Sequence, residues 1–223
     1  MKSDHTISKM LSIAALIIIF ATCFSGPVGV ILVKTIAPQP TWIDADLFAR
    51  NFHPIQSVPY YFGIILLIGF LLFFSSLPIA KTEMDKVIVT LTYFFTGMYA
   101  ILIFINYFIQ IAVIPNFLHI DAVITAFAAD NGKSLFWYLE MTGYGFLGLA
   151  TWTSSVLFRG SGKLSLIRFL LIVNGIISLF GAILNFLLPG WVFTIPGLTS
   201  YVIWNLLIVI IMSLIILEYR FGK

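Results

Sequence analysis

The chain has 223 residues, of which 61% are apolar and 9% are charged, and its formal net charge is +3. Soluble domains are about half apolar and about a quarter charged, so this composition excludes a soluble globular protein and predicts an integral membrane protein in contact with the lipid bilayer. The single cysteine, Cys23, excludes an intramolecular disulfide and a cysteine cluster for a structural metal. The basic residues stand at the ends of apolar runs, which indicates headgroup contact and no nucleic-acid partner.

Six apolar runs follow one another along the chain, and each approaches or exceeds the roughly 20 residues that a helix needs to cross a membrane. The runs are continuously apolar and lack the alternation of a membrane β-barrel, so helices are favoured. We therefore predict an all-α fold, a single six-helix transmembrane domain over residues 1–223. The six runs are residues 10–33, 60–77, 87–114, 135–158, 164–188 and 198–217.

The first run, residues 10–33, resembles a secretory signal because two lysines precede it. Phe20 and Thr22 are poor cleavage-site residues, and apolar sequence continues well beyond them. We therefore expect the run to remain as the first span. Gly26 and Pro27 lie in its outer half and predict a bend there.

The distribution of Lys and Arg predicts the orientation of the chain. If the N-terminus is cytoplasmic, nine basic residues fall inside and three outside, which is a strong bias under the positive-inside rule. Both termini are thus expected in the cytoplasm of a cell whose inner membrane holds this multi-pass protein. The inner set is Lys2, Lys9, Lys81, Lys86, Arg159, Lys163, Arg168, Arg220 and Lys223, and the outer set is Lys34, Arg50 and Lys133.

Two outer connections, residues 34–59 and 115–134, are long enough to hold structure of their own. In the first, Thr41 is expected to cap a short helix with Asp44 in its opening turn. In the second, Asp121 is expected to cap a helix that ends at Asn131 and Gly132. Both segments predict short interfacial helices over the outer mouth of the bundle, although ordinary amphipathic connectors have the same pattern.

The third run carries polar residues on one helical face, which should point into the bundle. These residues are Thr92, Thr96, Tyr99, Asn106 and Gln110. At about 1.5 Å of rise per residue, Asn106 and Gln110 fall in the outer half of the membrane. The fifth and sixth runs place Asn185 and Asn205 in the same half.

Glu140 is the one acidic side chain inside any of the six runs, and the one basic residue within a run, Arg168, lies at the predicted cytoplasmic end of the fifth. An acid in hydrocarbon is expensive, so it indicates a functional site. We predict a ligand-binding site around Glu140. Its other predicted members are Tyr99, Asn106, Gln110, Asn185 and Asn205. The alternative is that each amide only joins helices, which is worth about 0.6 kcal/mol in measured cases.

Other chemistries have little support in this sequence. His53 and His119 lack the spacing of a metal site, and no cofactor or metal is predicted. The run from Gly143 to Gly148 matches the letters of a dinucleotide-binding motif, but it lies inside a span and lacks the preceding strand. Its glycines are expected to let a neighbouring helix approach closely.

Residues 143–186 combine a glycine-rich span, the turn Arg159-Gly160-Ser161-Gly162 and a following apolar span. In this layout the segment resembles a bacterial membrane family catalogued as domain of unknown function 4386. The resemblance implies a six-span protein of unassigned activity and supplies no catalytic residues.

Three functions remain open from the sequence. The first is a protein that binds or transports a small or lipophilic ligand in an outward-facing polar cavity around Glu140. The second is a membrane enzyme that uses Glu140 as acid or base, with His53 or His119 as partner. The third is a structural or partner-binding membrane protein in which every polar residue only joins helices.

Overall fold

The computed structural model describes residues 2–77 and 82–221, with side chains for residues 6–77 and 82–219. Within these ranges the chain is helical and contains no β-strand, which confirms the predicted all-α fold. Of the basic residues used for orientation, Lys81 and Lys223 lie outside the described residues. The helices are α1 (Lys2–Ser25), α2 (Pro27–Ile36), α3 (Ala45–Asn51), α4 (Val58–Ser75), α5 (Glu83–Phe108), α6 (Asp121–Phe127), α7 (Leu135–Ser155), α8 (Lys163–Leu187) and α9 (Ile195–Phe221).

Five helical segments in the described ranges are long and apolar enough to cross a membrane. This finding supports a multi-pass helical membrane protein, as the composition predicted. The fourth predicted run, residues 135–158, is not among these five segments; it corresponds to α7, which has 21 residues but is less apolar than the others. The five segments are Thr6–Ile36, Pro54–Ser75, Glu83–Asn116, Lys163–Leu187 and Ile195–Tyr219.

Helix α7 packs between α5 and α8. Of its side chains only Leu135 and Trp152 are exposed. A Cβ added at Gly148 would lie 2.6 Å from the Cβ of Ser178 in α8, so the glycine permits a close approach of the two helices. A helix enclosed by protein meets few lipid chains, which explains why it can be less apolar than its neighbours.

The predicted bend in the first span is present, because α1 ends at Ser25 and α2 begins at Pro27. Proline suits the first position of a helix, since its missing N–H would be unpaired there anyway. A Cβ at Gly26 would lie 2.7 Å from Oδ1 of Asn205, so a larger residue would collide with α9. The bend therefore brings α9 directly against the backbone of the first span.

The outer connections contain short helices, but their caps differ from the prediction. Asp44, and not Thr41, caps α3: its Oδ1 accepts a hydrogen bond of 2.8 Å from the N–H of Leu47. Asp and Thr both cap helices, and Asp does so somewhat better. The chain enters α3 only after Asp44, three residues later than predicted.

Asp121 does not cap α6, because the residue at the cap position is Ile120 and no side chain caps the helix. Asp121 instead lies in the first turn, where a negative charge favours the helix dipole. The helix ends at Phe127 rather than at Asn131. Its apolar face packs on α3 and the end of α5 in a small separate cluster: Ala45, Phe48, Ile114, Ile124 and Ala128.

At the opposite end of α5, Asp85 joins two parts of the chain. Its carboxylate accepts hydrogen bonds of 2.5 and 3.3 Å from Arg159, in the turn between α7 and α8. It also accepts one of 3.1 Å from the N–H of Thr82, whose hydroxyl caps the Asp85 N–H in return. No local pattern indicated a role for Asp85, because its partner Arg159 lies 74 residues away in the sequence.

Candidate functional site

Glu140 lies in the second turn of α7, and α5 supplies a hydrogen-bond donor to each of its carboxylate oxygens. The side-chain amide of Asn106 donates to Oε2 over 2.8 Å. The hydroxyl of Tyr107 donates to Oε1 over 2.8 Å. The hydroxyl of Tyr144, one turn further along α7, lies 3.2 Å from that of Tyr107. The carboxylate thus belongs to a connected polar group, the Glu140 cluster: Asn106, Tyr107, Glu140 and Tyr144.

The local structure explains how two consecutive residues of α5 reach one carboxylate. Asn106 also donates to the backbone carbonyl of Phe136 over 3.3 Å, which holds the start of α7 against α5. Tyr107 fits because α4 has a glycine beside it: a Cβ at Gly63 would lie 2.2 Å from the Tyr107 ring. The close packing of α4, α5 and α7 therefore positions both donors.

Immediately after these donors the helical path of α5 widens. Residues Ile109–Val113 form a π-helical turn, a feature that is rare and often found at functional sites. Gln110 lies in this turn and donates through Nε2 to the carbonyl of Phe127 over 2.8 Å. The wider turn thus directs Gln110 to the outer connection rather than to Glu140.

Glu140 has no positively charged partner among the side chains of residues 6–77 and 82–219. The ion pairs described there are Arg50 with Asp46, Lys86 with Glu83 and Arg159 with Asp85. The two donors that Glu140 does have are neutral. Two further oxygens, Oδ1 of Asn106 and the hydroxyl of Tyr99, are buried without a hydrogen-bond partner.

The structure brings some predicted site residues together and not others. Asn106 contacts Glu140 directly, and the Tyr99 ring lies 5.8 Å from that of Tyr144. Asn185 donates to the carbonyl of Trp137 over 3.2 Å, and thus joins α8 to α7. Gln110 contacts Phe127, as described above, and Asn205 donates to the carbonyl of Tyr201 in its own helix. A ligand-binding role for these residues stays a prediction.

Sequence reasoning missed Tyr107 and Tyr144 as members of the cluster. Tyr144 follows Glu140 by four residues, so the helical repeat places both side chains on one face. That spacing was a usable signal. Tyr107 carried no such signal, because it is adjacent to Asn106 and helical geometry turns adjacent residues by about 100°.

The loop histidines do not lie at Glu140. His53 is exposed, and its Nδ1 accepts a hydrogen bond of 3.2 Å from the N–H of Ile55. His119 is also exposed and stacks on Phe117. Across the described residues, no group of three His, Cys, Asp or Glu side chains is arranged to hold a metal ion.

A groove of about 410 Å³ lies elsewhere, between α8 and the start of α9. Its lining is mainly apolar and does not include Glu140. It consists of Ile177, Ile195, Pro196, Thr199, Ser200 and Ile203. The predicted cavity around Glu140 therefore stays a prediction.

The fold and composition define this chain as an all-helical membrane protein in which an acid of α7 accepts hydrogen bonds from two residues of α5. Comparison with protein-family models, with curated proteins and with solved structures gave no match. The resemblance of residues 143–186 to a family of unknown function stays a prediction. Function must be argued from the site itself.

Proposed function

We propose that the protein crosses the membrane six times, with α7 as the fourth span and with both termini in the cytoplasm. The length of α7 and its position between α5 and α8 support this assignment. So does the excess of basic residues in the connections that would then be cytoplasmic. A reporter that is active only in the cytoplasm, fused after Lys223, should be active. If instead only a reporter that requires the periplasm is active at the same position, the proposed orientation is wrong and both termini are periplasmic.

We infer that the protein binds or transports a small or lipophilic ligand at the Glu140 cluster. The observation that carries this inference is the carboxylate of Glu140, which has two neutral donors and no counter-charge among the described side chains. An uncompensated acid at membrane depth costs several kcal/mol, and such groups are usually retained for function. Because Glu140 is partly exposed while its partner Asn106 is fully buried, a ligand would approach Glu140 from its exposed side.

The two other functions have weaker support. An enzyme that uses Glu140 as acid or base needs a second catalytic group within hydrogen-bond reach. His53 and His119, the partners considered for that role, are exposed and bonded or stacked within their own loops. A purely structural role fits Gln110 and Asn185, which join neighbouring elements, but it does not account for an acid at the centre of the cluster.

Reaction with dicyclohexylcarbodiimide tests whether Glu140 is open to a lipophilic molecule. This apolar reagent adds to a protonated carboxyl group within the membrane, and the product is retained as an acylurea. We expect mass spectrometry of labelled membranes, prepared at mildly acidic pH, to find the adduct on the peptide that contains Glu140. The Glu140→Gln variant should not be labelled there, because an amide cannot react in this way.

Asp85 provides an internal control for this reaction, because Arg159 and Thr82 hold its carboxylate. It should remain unlabelled under the same conditions. If Glu140 also remains unlabelled while the protein melts normally, the site is sealed and the proposed ligand-binding function is wrong.

A further inference from the structure

Aromatic rings pack in a connected set around the two tyrosines of the Glu140 cluster, of which Tyr107 donates to the Glu140 carboxylate. The Tyr60 ring lies 5.6 Å from that of Tyr107 and 5.7 Å from that of Phe136. The Tyr144 ring lies 5.8 Å from that of Tyr99 and 4.9 Å from that of Trp204. We call this set the aromatic shell: Tyr60, Tyr99, Tyr107, Phe136, Tyr144 and Trp204. It draws on four helices, namely α4, α5, α7 and α9.

The aromatic shell and the carboxylate favour the same kind of ligand. Aromatic faces carry partial negative charge and attract cations, most strongly where water is excluded. An acid without a counter-charge attracts cations as well, and no Lys or Arg among the described side chains contacts Glu140. Both features therefore select a positively charged ligand over a neutral or an anionic one.

The available oxygen atoms distinguish an organic cation from a metal ion. Calcium takes six to eight oxygen ligands, and magnesium requires near-octahedral oxygens. Within the Glu140 cluster and Tyr99, each carboxylate oxygen accepts one hydrogen bond, and the oxygens buried without a partner are Oδ1 of Asn106 and the hydroxyl of Tyr99. A site with few free oxygens and many rings suits an alkyl ammonium group, which needs little coordination and packs its carbons on aromatic faces.

We propose that the ligand of the Glu140 cluster is an organic ammonium cation, bound by the carboxylate and by the rings of the aromatic shell. This inference rests on the proposed ligand-binding function and adds its chemical class. Tyr60, Tyr144 and Trp204 are partly exposed, as is Glu140, whereas Tyr99, Tyr107 and Phe136 are buried. The partly exposed rings mark the side from which the cation would enter, and the buried rings form the floor.

Protection from dicyclohexylcarbodiimide tests this proposal with a matched pair of probes. One is choline, and the other is its uncharged carbon isostere, in which a tert-butyl group replaces trimethylammonium. We expect choline to lower the labelling of Glu140 at concentrations at least ten-fold below those at which the isostere has any effect. The two probes differ only in charge, so this difference would report recognition of the cation. Sodium chloride at the same ionic strength should leave labelling unchanged.

Two variants of one residue test the role of the rings. Tyr144→Phe keeps the ring and should retain protection by choline. Tyr144→Leu removes the ring and should raise the half-protecting concentration by about ten-fold, the effect of a desolvated cation–π contact. Labelling of Glu140 in the absence of choline reports that each variant still folds around the site.

The outcomes separate this proposal from the one on which it rests. If Glu140 is labelled but choline and its isostere protect equally, the ammonium assignment is wrong and the ligand-binding function stands. Protection by sodium chloride equal to that by choline would also overturn the organic class, in favour of an inorganic cation. If Glu140 is never labelled, both proposals fail together.

Discussion

Asp85 lies in the first turn of α5, and Glu140 lies in α7 beside the last turn of α5. The surroundings of these two acids differ in charge. Asp85 is buried, forms a reciprocal cap with Thr82 and receives two hydrogen bonds from the guanidinium of Arg159. Glu140 receives one hydrogen bond from an amide and one from a phenol, and no cation. The protein therefore compensates the first charge with a cation, and among the described side chains the second has none.

This difference separates a structural acid from a candidate functional one. A buried ion pair with good geometry holds elements together, and removal of one partner is destabilising. An acid without a counter-charge contributes little to stability, so its retention needs another reason. Asp85 joins α5 to the turn before α8, whereas Glu140 is the acid that we propose binds a ligand.

The largest expected effect comes from matched carboxylate-to-amide variants at the two acids. Asp85→Asn removes the charge that Arg159 and the cap require. It should lower the free energy of unfolding by about 2–3 kcal/mol, less than for a fully buried pair because Arg159 is half exposed. Glu140→Gln should change it by less than about 0.5 kcal/mol, because relief from burial of an unpaired charge offsets the weakening of the two hydrogen bonds to the carboxylate. Thermal unfolding of both purified variants in the same detergent measures the difference.

Equal destabilisation by the two variants would remove the contrast between the acids. In that case Glu140 would be part of the framework, as Asp85 is.

An intermediate effect is expected where α4 makes room for the cluster. Gly63→Ala should force the Tyr107 ring away from Glu140, because the new Cβ would lie 2.2 Å from a ring carbon. We expect a loss of about 2 kcal/mol in stability, and weaker protection of Glu140 by choline. Gly97→Ala in α5 is the control, since nothing lies within 4 Å of its Cβ position.

The control variant Gly97→Ala should leave the free energy of unfolding unchanged or raise it by about 0.5 kcal/mol, because alanine is preferred to glycine within a helix. If the two alanine variants behaved alike, Tyr107 would not depend on the space at Gly63.

The smallest expected effect is the loss of one hydroxyl group. Tyr107→Phe removes a hydrogen bond to the Glu140 carboxylate and should cost about 1 kcal/mol of stability. Tyr93→Phe, at an exposed position of the same helix, is the matched control and should have no measurable effect. Unfolding curves of both variants, measured together, test the comparison. Indistinguishable curves would show that the Tyr107 hydroxyl contributes nothing to the fold.

Several features of the site were predictable because they depend on local pattern. The helical repeat placed Asn106 on the inward face of its span, and the cost of a charge in lipid identified Glu140. The Gly26-Pro27 bend followed from proline chemistry alone. In the structure the amide of Asn106 donates to Glu140 over 2.8 Å, and the ligand-binding role of the pair stays a prediction.

Other features depend on how the helices align with one another. The pairing of Asp85 with Arg159 and of Tyr107 with Glu140 requires the relative height and rotation of two helices. A common depth was predicted for Gln110, Asn185 and Asn205, but depth does not fix the direction of a side chain around the bundle. The π-helical turn at Ile109–Val113 further rotates Gln110, and no local pattern indicated it.

By itself the sequence determined the all-helical class, the succession of apolar segments and the presence of one acid among them. These features are local, because transfer of a segment into lipid depends on its composition and on the hydrogen bonds within its own backbone. Only the tertiary structure decided how α7 packs between α5 and α8, which donors reach Glu140 and which rings lie near the Glu140 cluster. Those contacts arise where side chains from different helices meet, and small residues such as Gly63 and Gly148 set how closely the helices approach. The distance and rotation between two packed helices depend on both of their surfaces, so the sequence of one helix does not determine them.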